Sequence, residues 1–168
     1  MRRFVINIVL IIMAFAIQNC IFPFIPFLNV APNLVLIILF TIGFIYGKKE
    51  GMLYGIIIGL LMDLFYTGVF GFFTLIYIWL GYIDGILSKY FYEDYIVLPL
   101  VMCAFNEVLY NLAIYFFRFM LRGKFNLLFY INSIIIPEMI MSLLFTLLLY
   151  RPLFKYNKAL ERMDNAKR

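Results

Sequence analysis

Four carboxylates, Asp63, Asp84, Glu107 and Glu138, stand inside long apolar runs of a 168-residue chain. An ionisable side chain surrounded by Phe, Ile and Leu costs several kcal/mol to keep there, so each is a candidate for function. Three roles suit such groups: hydrogen bonding between helices, capture of a partner or ligand, and coupling to protons or ions. Asn106 precedes Glu107, Asn111 follows it by one helical turn, and Ser142 follows Glu138 by one turn. Pro137 loosens the helix beside Glu138. Asp63, Asn106, Glu107, Asn111, Glu138 and Ser142 are expected to form one polar centre opening to the outer side. Asp84 is expected apart from them, near the opposite end.

A glycine ladder is the second pattern: Gly47, Gly51, Gly55 and Gly59, with Asp63 four residues on. Steps of four keep residues on one helix face, giving a smooth groove that ends in a carboxylate. Small residues at this spacing let another backbone approach closely. The occupant is either a neighbouring helix of the same chain or a helix of a partner protein. Gly51, Gly55, Gly59 and Asp63 are therefore expected to serve helix packing or partner binding.

Catalysis has little to draw on. The chain has no histidine, and its three serines, Ser88, Ser133 and Ser142, lie in no nucleophile motif. Asp63 and Asp84 are expected too far apart to act as an aspartyl pair. Cys20 and Cys103 share no close spacing, so no metal or redox motif is formed and no cofactor is expected. The reading is of a protein that is not an enzyme.

The elements that carry these groups follow from composition. Hydrophobic residues make up 66% of the chain and charged residues 14%, against about 25% charged in an average soluble domain. A water-soluble fold of this size has too little interior to hide that much apolar surface. Lipid removes the contradiction. The chain is expected to be an all-α integral membrane protein, a single polytopic domain over 1–168. Its six spans fall at approximately 4–22, 33–46, 51–66, 71–87, 95–117 and 131–150, with a basic tail at 151–168. Pro32 suits the first turn of the second helix, and Lys48-Lys49-Glu50 reads as a tight charged turn.

Six spans place both termini on one side. That side then takes eleven of the fourteen basic residues, and the other keeps Arg118, Arg122 and Lys124 as an outer basic loop. The positive-inside bias makes the basic side cytoplasmic. The net charge of +5 follows from this topology, and no nucleic-acid face is expected. Arg2 and Arg3 before an apolar run imitate a signal peptide. The run closes on Ile17-Gln18-Asn19-Cys20 without small residues, so it is expected to remain as the first helix. Tyr46, Tyr66, Tyr90, Tyr92, Tyr95, Tyr130 and Tyr150 fall at helix ends, where headgroups favour tyrosine.

Several of these residues carry a resemblance. Ala31-Pro32-Asn33-Leu34, Gly47-Lys48-Lys49-Glu50-Gly51 and Gly55-Ile56-Ile57-Ile58-Gly59-Leu60-Leu61-Met62-Asp63 are similar to the signature of the rod shape-determining MreD family. The continuation through Gly68, Gly71, Tyr77, Gly81, Tyr82 and Gly85 agrees. The resemblance implies a multi-pass protein of the bacterial inner membrane within the lateral cell-wall elongation complex. Its implied partners are the single-span protein MreC and, through it, MreB filaments, the glycosyltransferase RodA and a class B penicillin-binding protein. The family also resembles in architecture the six-helix S-components of energy-coupling-factor vitamin transporters, which makes substrate capture a second hypothesis. Those components show small-xxx-small spacing on their first helix. Here Ala14 and Ala16 are followed by Gln18, and that docking pattern is missing.

Overall fold

The computed structural model describes residues 2–24, 31–66, 70–87, 97–118 and 127–165, and these are all helical apart from short connections. Helix α1 spans Arg2–Ala16 and runs on as a π turn, Ile17–Ile21, and a 3-10 turn, Phe22–Phe24. Then come α2 (Leu34–Tyr46), α3 (Lys48–Phe65), α4 (Phe72–Leu87) and α5 (Val97–Arg118). A short α6 (Leu127–Tyr130) passes through a π turn at Ile131–Ile135 into α7 (Ile136–Asn165).

Helix directions follow from the cross-helix pairs. Arg3 with Glu50, Asn7 with Tyr54, and Asn19 with Tyr66 share an offset of 47 residues, so α1 and α3 run parallel. Gly51 faces Gly81, Gly55 faces Tyr77 and Gly59 faces Thr74, so α4 runs antiparallel to α3. On α5 and α7, Cys103 meets Thr146, Glu107 meets Ser142 and Asn111 meets Glu138, again antiparallel. Asn33 to Ser142 and Tyr46 to Asn157 make α2 parallel to α7. Successive long helices thus alternate in direction. One end of the bundle gathers Arg3, Glu50, Gly85 and Asn157, and the other gathers Asn19, Asp63, Tyr66 and Glu138.

Helix α2 is the axis. Every residue from Leu34 to Phe44 is buried, including Thr41 and Gly43. A helix apolar on all sides is one enclosed by others, and α2 touches α1, α3, α4, α5 and α7. Its 13 residues rise only about 20 Å, short of a bilayer core of ~30 Å. The enclosing helices, not lipid, solvate it.

The outer surface is the reverse of a soluble protein's. Val5, Val9, Ile12 and Met13 on α1, Leu75 and Trp79 on α4, Leu112 and Phe116 on α5, and Leu144 and Leu148 on α7 all point outward. Asn7, Asn33, Asp84, Asn106, Glu107, Asn111 and Ser142 are buried instead. Apolar outside and polar within is the arrangement lipid selects. Among the described residues, Arg3–Phe24, Pro99–Phe117 and Leu128–Ala159 are long and apolar enough to cross a membrane, and α2 and α4 are shorter apolar helices.

Three boundaries differ from the sequence reading. Lys48-Lys49-Glu50 is the first turn of α3 rather than a loop, because Gly47 alone reverses the chain at φ +81°. Glu50 then sits favourably at the positive N-terminal end of the helix. Asn33 caps α2 instead of opening it, its side-chain oxygen accepting the Leu36 amide at 3.3 Å, while Pro32 lies outside the helix. The segment expected as a tail from residue 151 stays helical to Asn165, with Pro152 inside the helix. Stacking of Phe154 on Tyr150 and the bond of the Tyr46 hydroxyl to the Asn157 carbonyl, 2.8 Å, hold that extension. Tyr46 and Tyr130 are also committed inward, the latter packed on Tyr115 and 6% exposed. Tyr90, Tyr92, Tyr95 and Gly68 lie outside the described residues.

Candidate functional site

The seam between α5 and α7 carries polar groups one turn apart on each helix. Glu107 is fully buried. Its Oε2 receives the Asn111 Nδ2 at a long 3.4 Å, and that same amide donates to the Glu107 backbone carbonyl at 3.1 Å. The Ser142 hydroxyl accepts the Asn33 amide at 2.9 Å and also acts on the Glu107 carboxylate. Glu138 is close enough to Glu107 for the two carboxyl groups to interact, and it lies within reach of Asn111. Glu107 Oε1 is buried without a hydrogen-bond partner. Neither carboxylate has a basic partner among the described residues.

Glu138 also lines a cleft of about 290 Å³ at the end of the bundle where α1 relaxes into its π and 3-10 turns. Gln18, Asn19, Tyr66, Phe73, Tyr110 and Ile114 form much of the rest of its wall. The Asn19 side chain receives the Tyr66 hydroxyl and donates to the Phe15 carbonyl at 2.8 Å. Gln18 accepts the Val35 amide at 3.2 Å. Wider π turns free backbone groups and recur at functional sites, and here they bring Gln18 and Asn19 to the cleft. A second hollow of about 770 Å³ lies between α4 and α5, its walls apolar, including Leu75, Trp79, Leu112 and Phe116.

The expected polar centre therefore divides into three. Glu107, Asn111, Glu138 and Ser142 are together. Asp63 is not with them: Phe73 N donates to Oδ1 at 2.9 Å, and Gly71 N, Thr74 N and the Thr74 hydroxyl donate to Oδ2 at 3.0, 3.0 and 2.6 Å. The start of α4 leaves these amides without intrahelical partners, and Asp63 reaches across the connection to supply one. Asn106 faces the other way, donating to Asp84 Oδ1 at 2.7 Å. Both residues are fully buried, and Asp84 Oδ2 and Asn106 Oδ1 have no partner.

Asn33 and Tyr110 are functional candidates that sequence reasoning left out, and Asp84, named there as a lone carboxylate, was not paired with Asn106. Asp84 had a legible signal, lying three residues past Gly81 and seven past Tyr77 on the buried face of α4. Asn33 and Tyr110 had none, since their roles depend on which helix faces them.

The glycine groove is filled from within the chain. A Cβ at Gly51 would overlap the Gly81 carbonyl, one at Gly55 the Tyr77 carbonyl and one at Gly59 the Thr74 backbone. Gly81 and Gly85 return the same close approach from α4, against Gly51 and Lys48. The face is thus taken by α4, leaving no room for a partner's helix while the two remain packed. Gly47 is the hinge before the groove and not part of it. Arg122 and Lys124 of the outer basic loop lie outside the described residues, and Arg118 is described only as the backbone end of α5. Among the described residues no group of three or more His, Cys, Asp or Glu side chains could hold a metal.

Comparison with known proteins gives one match. The model of a family described as rod shape-determining protein MreD fits residues 1–160. No curated protein and no solved structure matches the chain.

Proposed function

The chain belongs to the MreD family of rod shape-determining proteins, and from that premise we propose that it is a non-enzymatic scaffold of the cell-wall elongation machinery. In this reading it crosses the bacterial inner membrane six times with both termini in the cytoplasm. It binds an MreC-like single-span protein within the bilayer and is linked through it to MreB filaments, RodA and a class B penicillin-binding protein. The observation that carries the reading is the family match over nearly the whole chain. The bundle supports it, because buried polar groups such as Asp63 and the Asp84–Asn106 pair fasten its own helices together. The gathering of Arg3, Lys48 and Lys158 at one end of the bundle favours a cytoplasmic end there.

Depletion of the protein in its own cells tests this. Rods are expected to widen and round, with labelled wall precursor lost from the side wall before division stops. Unchanged width and side-wall labelling after the protein has gone would overturn the proposal.

A further inference from the structure

The cleft at the α1 end of the bundle has features that a scaffold does not require. It presents the carboxyl group of Glu138, with that of Glu107 near enough to interact with it from behind. No basic side chain appears among its described wall residues. Both side-chain oxygens offered by Gln18 and Asn19 already accept bonds from the protein, leaving Glu138 as the acidic acceptor among the described wall residues. Around it stand three aromatic rings, those of Tyr66, Phe73 and Tyr110, with Tyr66 and Phe73 centred 5.9 Å apart.

Aromatic rings beside a carboxyl group, with no basic side chain among the described wall residues, are the elements that recognise an ammonium group. We propose that this cleft receives an organic cation, a primary or quaternary ammonium seated against Glu138 and walled by Tyr66, Phe73 and Tyr110. The volume of about 290 Å³ is that of about ten waters at ~30 Å³ each. It lies at the lower edge of small-molecule pockets, about 300 Å³ and above. This fits a headgroup or a small amine. The ammonium is carried either by a free amine or by a lipid headgroup such as phosphatidylethanolamine.

The test uses the full chain purified in a nonionic detergent and its melting temperature at matched ionic strength. Choline and ethanolamine are the free-amine probes, and ethylene glycol is the neutral counterpart of ethanolamine. Nanodiscs of phosphatidylglycerol with and without phosphatidylethanolamine supply the lipid arm. A ligand of the folded state raises the melting temperature saturably. The expected result is a saturable rise with a free amine, or with phosphatidylethanolamine, and none with ethylene glycol. The responding arm identifies the source. Glu138→Gln should weaken binding about tenfold or more, and Tyr66→Leu, at the exposed rim, about fivefold. Absence of any response in both arms would overturn the proposal. So would a wild-type response in Glu138→Gln or, should that variant not fold, in Tyr66→Leu.

Discussion

Replacing Asp63 by asparagine removes one oxygen from a carboxylate that receives four hydrogen bonds. If the remaining oxygen takes the Oδ2 position it keeps the Gly71 and Thr74 amides and the Thr74 hydroxyl, and the new NH2 faces the Phe73 amide. One bond is lost and the other three are no longer made to a charge. Bonds to charged groups contribute about 1.5–3 kcal/mol and neutral ones about 0.5–1.5. Neighbouring bonds are not additive, so the expected net loss is about 3 kcal/mol. At ~2–4 °C per kcal/mol for a chain of this size, the melting temperature falls by about 9 °C. The assay is thermal unfolding of the purified full chain in detergent, read by aggregation or size exclusion. Thr74→Val keeps the shape and removes the bond at 2.6 Å, costing about 1–2 kcal/mol alone. In the Asp63→Asn background it should cost under about 1 kcal/mol, because its partner has already changed. An Asp63→Asn protein melting within about 2 °C of the wild type, or additive effects of the two changes, would refute the capping role.

Gly55→Ala places a Cβ against the Tyr77 carbonyl carbon at 2.9 Å and should cost about 1–3 kcal/mol as α3 and α4 separate, checked by the same melts. Asn106→Leu should destabilise by about 3 kcal/mol by leaving Asp84 buried alone, whereas the double change of Asp84 and Asn106 to Leu should recover much of that loss. Arg3→Ala should cost under about 1 kcal/mol, since the pair with Glu50 is partly exposed and such pairs contribute little.

The sequence carried the helical bundle because its signals are local. Apolar runs, short charged breaks and glycines at steps of four each act within one helix, and the close approach of α3 to α4 follows from the absence of side chains at Gly51, Gly55 and Gly59. What it could not carry was the choice of partners across helices. Position along the apolar runs grouped Asp63 and Asn106 with Glu107 and Glu138, but position along a helix does not give rotation about its axis. Residues 106 and 107 are neighbours on α5, about 100° apart around a helix of 3.6 residues per turn, and so they face Asp84 and Ser142 respectively. Asp63 was legible as a carboxylate in an apolar run, yet its partners begin eight residues on, across a turn that charge patterns do not describe. The continuation of α7 beyond Tyr150 was hidden by Pro152, which usually ends a helix and here is held inside one.

The claim that this bundle is a scaffold of wall elongation is tested most directly by what it holds. The measurement is affinity purification of the tagged chain from its own membranes in mild detergent, with mass spectrometry of the proteins retained. An MreC-like single-span protein with the elongation synthases is the expected result. Retention of a pair of transport ATPases with their membrane scaffold, and no wall-synthesis protein, would contradict it.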